Sequence, residues 1–169
     1  MSPHEEKLVS SHEAREHRNE SVVRRVLVEL ADGDEVAPLE LYRELFAARV
    51  IDHPWWHDPI DPMTGNHVEV YVATPELLRD GDVQLRARFP GCQTTVDELL
   101  AVGDRVIARY TRQVKHRSGR VVLFRSLDII RLVDGRVVEF WNTWDRLGLA
   151  QQLGLVPDVE ILLERESRL

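Results

Sequence analysis

The sequence predicts an α+β protein in which helices cover one face of an antiparallel sheet. Two observations carry that expectation. Apolar residues at helical spacing are confined to the first half of the chain, whereas β-rich runs separated by Gly-Asp and Asp-Gly turns fill the second half. A third, the balance of 43% apolar and 30% charged residues, is that of a globular protein with one core rather than of a disordered or fibrous chain.

Residues 1–18 are polar, with three His and several Glu, and read as a flexible tail or a weak helical extension. From Asn19, the residues Val22, Val23, Val26, Leu27 and Leu30 recur at three- and four-residue steps until Asp32-Gly33 stops the run, which predicts a first amphipathic helix. Pro38 opens a second helix carrying Leu41, Leu45 and Phe46 as far as Ala47 or Ala48. A short extended piece, Arg49 to His53, follows. Pro54 to Ala73 holds three Pro and two Trp without a sustained period and reads as a loop insertion. Thr74-Pro75 supplies an N-cap and first-turn pair for a third helix to about Phe89, stopped by Pro90-Gly91.

Three β-rich runs come next, Gln93–Val102, Arg105–His116 and Val121–Asp145, the last divided by Asp134-Gly135. A short helix through Leu147, Leu149 and Leu153 ends near Gly154, and a charged tail runs from Pro157. The expected organisation is therefore a tail over 1–18, a domain over 19–156 with an insertion at 54–73, and a second tail over 157–169.

The 22 Lys and Arg against 29 Asp and Glu leave a net charge of −7, which repels polyphosphate, so nucleic acid is not an expected partner. The single Cys92 precludes an intrachain disulfide and a thiolate metal site. No apolar run approaches the roughly 20 residues that span a bilayer, and the charged N-terminal stretch does not resemble a signal peptide. A cytoplasmic protein without membrane contact is the expectation.

Strand parity places side chains, because alternate residues point to opposite faces of a sheet. A three-residue connection Val133-Asp134-Gly135, with Gly135 in the left-handed position, pairs Leu132 with Arg136 and sets Asp128 opposite Phe140. That register groups Ser126, Asp128, Ile130 and Leu132 with Val138, Phe140, Asn142 and Trp144. A two-residue turn alone would separate Asp128 from Asn142. On the preceding strand Val106, Ala108, Tyr110, Arg112, Val114 and His116 share the more apolar face, expected to lie against the helices.

Asp128, Asn142, Tyr110 and His116 are then the polar points of an apolar concavity, the common description of a small-molecule site. Loss of water raises the pKa of a carboxyl among Phe, Ile and Trp, which suits a general acid or base, and an amide donates to a developing oxyanion. The structural alternative is a sheet-edge Asp128 paired with Arg125 or Arg131. His53, His57, Asp58, Asp61, His67 and Glu69 form a cluster with no defined metal spacing and read as a polar lid, so no metal is expected. On the outer face Arg105, Arg109, Lys115 and Arg131, balanced by Glu139, read as a solvated or dimer-facing stripe. Trp141 there points to subunit contact, hence a homodimer through the outer sheet.

The stretches Val102-Gly-Asp-Arg-Val106, Asp128-Ile-Ile-Arg-Leu-Val-Asp-Gly-Arg-Val-Val-Glu-Phe-Trp-Asn-Thr-Trp-Asp145, Leu147-Gly-Leu149 and Gln151-Gln-Leu-Gly154 resemble the C-terminal half of SnoaL-like polyketide cyclases. These belong to the nuclear transport factor 2-like superfamily. The resemblance covers roughly Asn19 to Leu155. It implies a cone-shaped roll of helices in a curved antiparallel sheet, enclosing an apolar pocket, without cofactor or metal and commonly dimeric. It also places a substrate-contacting group near His53; Trp55 and Trp56 beside it read as a lid over the mouth, as inward anchors or as a dimer contact. The family's cyclases use an Asp near the end of the final strand and a His on the preceding one. Matched by position, Asn142 stands where that Asp would be and Asp128 where that His would be, so the titratable group has moved one strand. The Arg-x-Asp pair of limonene epoxide hydrolase is not provided by Arg109-Tyr110-Thr111.

The leading expectation is a cofactor-free cyclase or isomerase of secondary metabolism acting on a hydrophobic carbonyl compound. In it Asp128 is the acid/base, Asn142 and Tyr110 bond the enolate oxygen, His116 or His53 orients the substrate, and Trp55, Phe140 and Trp144 line its site. The alternatives are a non-catalytic ligand-binding or scaffold domain and, third, an epoxide-opening enzyme.

Overall fold

The computed structural model describes residues 3–54 and 70–157. In chain order the elements are α1 (Pro3–Val28), α2 (Leu39–Leu45), β1 (Phe46–Pro54), β2 (Tyr71–Ala73), α3 (Pro75–Arg88), β3 (Gly91–Val102), β4 (Arg105–Lys115), β5 (Val121–Val133), β6 (Arg136–Trp144) and α4 (Arg146–Gln152). One six-stranded sheet has the order β2-β1-β6-β5-β4-β3. Every neighbouring pair is antiparallel except β1 with β6, which run parallel. The helices lie on one face of this sheet.

Three boundaries depart from the sequence reading. Helix α1 begins at Pro3, so residues 3–18 are the helical extension that the sequence reading allowed and not the separate tail of the expected organisation. The Glu16 carboxylate accepts from the Gly103 N–H at 2.8 Å, and the Asn19 amide donates to the Gly103 carbonyl at 3.1 Å. Those bonds satisfy the backbone of the β3–β4 turn, a pairing between distant residues that local composition does not reveal. The strand after α2 starts at Phe46 rather than Arg49, because Phe46 and Val50 are both needed in the core. Within the expected insertion, Tyr71–Ala73 add an edge strand to β1; residues 55–69 lie outside the described residues, and with them Trp55 and all of the His/Asp cluster except His53.

The stripe read from α1 supplies the core. Val23, Leu27 and Leu30 are buried against Tyr42, Leu45, Val106, Ile130 and Val137. A second cluster of Val114, Val122 and Leu149 forms beside α4. Thr74 caps α3 through its side-chain oxygen and Asp145 caps α4 at 2.7 Å from the Gly148 N–H. Leu45 retains 1% of its surface, so Leu45→Ala is expected to cost about 2–5 kcal/mol of stability in a urea titration.

The β5–β6 hairpin determines which side chains meet. Asp134 and Gly135 have φ of 50° and 75°, the left-handed pair of a two-residue turn, and Val133 pairs with Arg136. The three-residue connection expected from the sequence is therefore not the one formed. A bulge follows: Leu132 faces Val137 and Arg131 faces Glu139, with Val138 as the extra residue. Turn and bulge each reverse the parity of β6, so the two reversals cancel. Asp128 stands directly opposite Asn142 rather than Phe140, and Val137 rather than Val138 points inward. The bulge lets Val137 and Phe140 both reach the interior, which an unbroken strand in this register cannot do. No helix among the described residues is long and apolar enough to cross a membrane.

Candidate functional site

Between the two core clusters lies a cavity of about 290 Å³. Its floor is the concave face of β4, β5 and β6, and its roof is α1, α2 and α3. Most of the wall is apolar, including Leu27, Leu30, Phe124, Ile130, Phe140 and Trp144. A scaffold with a side-chain-filled interior would bring Tyr110 and Trp144 together; here both line the same hollow, and Trp144 leans on Phe124 with ring centres 5.2 Å apart.

Asp128 is buried at 7% exposure in the middle of β5. The Tyr110 hydroxyl, one strand away, donates to Asp128 Oδ2 at 2.9 Å. Asp128 Oδ1 and Asn142 Oδ1 are both buried with no hydrogen-bond partner among the described residues. Facing residues of antiparallel strands hold their Cβ atoms about 4.5–5.5 Å apart, so carboxyl and amide present themselves side by side to a ligand. Burial raises the Asp128 pKa to about 7, against the lowering effect of the Tyr110 hydrogen bond and the Arg112 charge. At neutral pH the group is thus divided between acid and carboxylate. Burial also pushes the Tyr110 phenol up, so Tyr110 remains a donor.

Two charged residues that the sequence reading did not select bear on this site: Arg112 lines the cavity, and Asp52, which does not, acts on Asp128 through its charge. Arg112 follows Tyr110 on the inward face of β4 and borders the cavity. Asp52 shares the inward parity of Val50 on β1 and stands beside Phe140; burial raises its pKa to about 6, and its charge adds to the upward pressure on Asp128. Parity carries the signal for both: Arg112 lies in the inward set already identified on β4, and Asp52 is two residues beyond buried Val50. On the opposite wall the Tyr42 hydroxyl donates to Asp82, whose carboxyl is likewise raised by burial.

Of the predicted site residues, Asp128, Asn142, Tyr110, Phe140 and Trp144 come together around the cavity. Tyr110 addresses the carboxyl of Asp128, the place where it was expected to meet substrate oxygen. Two predicted residues are elsewhere. His53 projects from the opposite face of the sheet, stacked on Trp141 at 4.6 Å, with its Nε2 2.8 Å from Glu139 Oε1. Its neighbour Asp52, not His53, has the inward parity. His116 sits at the β4–β5 turn, its Nδ1 2.8 Å from Ser118 Oγ and its ring against Phe89, and does not line the cavity. The strand ends at Lys115, so the alternation that would have turned His116 inward is lost.

The alternative pairing of Asp128 with Arg125 or Arg131 is not formed. Arg131 instead donates to Glu139 at 2.6 Å on the outer face. Burial there opposes ionisation of Glu139, but the hydrogen bonds from His53 and Arg131 outweigh it and hold its pKa below the usual range. Arg109 takes Glu98 and Asp97 as partners.

Among solved structures, IdmH from Streptomyces antibioticus, a candidate polyketide cyclase, matches with a TM-score of 0.65 and 25% identity, over 80% of this chain and 98% of that one. A candidate polyketide cyclase from Bacillus cereus ATCC 10987 matches at 0.64 with 25% identity, over 82% of each chain. AclR from Streptomyces galilaeus, a candidate hydroxylase, matches at 0.55 with 23% identity over 74% of this chain and 79% of that one, a likeness of fold alone. No curated protein matches the sequence. The sequence profile of SnoaL-like polyketide cyclases spans residues 22–153, from the first buried turn of α1 to the last residue capping α4, and the chain belongs to that family.

Proposed function

We propose that this protein moves a proton at the carbon beside a carbonyl group of an apolar substrate held in the cavity, in an enolisation that leads to ring closure or isomerisation. The single observation that supports this most is the pairing of Asp128, a buried carboxyl divided between its two protonation states near pH 7, with Asn142 directly opposite. The carboxylate form of Asp128 takes the α-proton. The electron pair of the C–H bond becomes the C=C bond of the enolate, and charge moves to the carbonyl oxygen, toward which the Asn142 amide donates. Attack of the enolate carbon on a second carbonyl then closes a ring, and return of the proton from Asp128 neutralises the new alkoxide. No cofactor enters this sequence. Tyr110 fixes the rotamer of Asp128 and tempers its basicity.

The outer face supplies the proposed dimer contact. One cross-strand row runs Leu100, Ile107, Ile129, Trp141, His53, with Leu100 and Ile107 exposed. A second copy seated there would cover that row.

The proton-transfer reading is tested with 2-tetralone, an apolar bicyclic ketone of a size suited to the cavity, in deuterated buffer at pH 7. Deuterium entry at its α-carbon is expected to exceed the buffer rate in proportion to protein concentration. Exchange at the buffer rate alone would contradict the reading.

A further inference from the structure

Arg112 is one inward position beyond Tyr110 on β4, and its guanidinium lies 5.0 Å from the centre of the Tyr110 ring. The side chain is partly buried and borders the cavity. Its Nε is buried with no hydrogen-bond partner, and among the described residues no carboxylate lies within ion-pair distance of it. Several other arginines among the described residues are engaged. Arg25, Arg43, Arg109 and Arg131 each grip a carboxylate, and Arg86 donates to backbone carbonyls between Leu30 and Gly33.

The acidic groups that act on Arg112 from a distance include Asp128 and Asp82; attraction to the acidic groups around it outweighs burial and raises the Arg112 pKa, so the guanidinium stays charged, while none of them fills its Nε donor. A buried cation with an unfilled donor is costly unless something pairs with it. The planar fork of a guanidinium matches the two oxygens of a carboxylate, and cation and anion gain most where water is excluded.

We propose that the ligand of this cavity is an acid, an apolar molecule bearing a carboxylate that the Arg112 guanidinium holds in a forked hydrogen bond. This rests on the proposed function for one point only, the placing of the reacting carbon at Asp128 and Asn142. The arrangement then has two ends. Arg112 anchors the anion, Tyr110 lies between, and the carbonyl to be enolised reaches Asp128. Neutral ketones lacking the acid group would enter the cavity but would not be held in one register.

The test compares 2-naphthoate with methyl 2-naphthoate by isothermal titration at pH 6, where the acid is ionised and Asp128 mostly holds its proton. The parent protein is expected to bind the carboxylate at least tenfold more tightly than the ester. Arg112→Met is expected to erase that preference, and Arg112→Lys to keep part of it. Naphthoate is also expected to raise the melting temperature of the parent but not of Arg112→Met.

Equal affinity for acid and ester would overturn the proposal, as would a preference that survives in Arg112→Met or absence of binding by either probe. A role limited to the developing enolate would show as slower 2-tetralone exchange in Arg112→Met without any ground-state preference for the acid, which also overturns it. Failure of the proton-transfer reading is separable: 2-tetralone would then exchange at the buffer rate while the carboxylate preference persists.

Discussion

Asp128→Asn is expected to slow the α-proton exchange of 2-tetralone by about 10²–10⁴-fold, the usual contribution of a positioned acid or base. The substitution keeps shape and hydrogen-bonding capacity, so the Tyr110 hydroxyl still finds an acceptor 2.9 Å away on the same side chain. It removes only the proton-accepting group. Circular dichroism unchanged from the parent, together with exchange near the buffer rate, is the expected pair of results. Exchange at the parent rate would transfer the chemistry to another group, of which Asp52 is the nearest by electrostatic coupling.

The second large effect concerns stability. In the unfolded chain an Asp carboxyl titrates near 3.9, whereas in the folded protein Asp128 titrates at about 7. Below the lower value both states hold the proton and pH has no leverage. Between the two values the unfolded chain has released a proton that the folded chain still binds, so stability falls as pH rises. Above 7 the loss is complete, and roughly three pKa units at about 1.4 kcal/mol each give a penalty on the order of 4 kcal/mol. Asp52, raised to about 6, adds loss of the same sign.

Asp128→Asn is therefore expected to unfold at higher urea concentration than the parent at pH 8, with the advantage shrinking toward pH 4. An advantage that is constant with pH, or that grows as pH falls, would mean that Asp128 is ionised at little cost in the folded state. The same group would thus weaken the fold and carry the chemistry, a trade common at active sites.

The sequence was informative where one local rule decided the outcome. The α1 stripe, the Thr74-Pro75 start of α3, the Gly103-Asp104 turn and the Asp134-Gly135 turn all appear where periodicity and turn chemistry put them. Parity also grouped Asp128, Asn142, Phe140 and Trp144 on one face. The intermediate step differed, because a two-residue turn and a bulge replaced a three-residue connection. Both routes reverse parity an even number of times relative to each other, so the face survives although the cross-strand partner changes.

What was not legible depends on contacts across the fold. The inward side of β1 is set by its parallel pairing with β6, which turns Asp52 rather than His53 toward the interior. The fate of His116 depends on where β4 stops. The unfilled donor of Arg112 becomes visible only when the side chains around it are placed, because an arginine in an inward set can equally be half of an ion pair.

The measurement closest to the central claim is a carbon-13 titration of the Asp128 carboxyl in protein labelled at its aspartates, assigned by the signal missing from Asp128→Asn. A midpoint near pH 7 is expected in the parent, and a higher one in Tyr110→Phe, where the hydroxyl no longer steadies the carboxylate. A midpoint near 4 in the parent would show a permanently ionised side chain and contradict its role as a proton carrier.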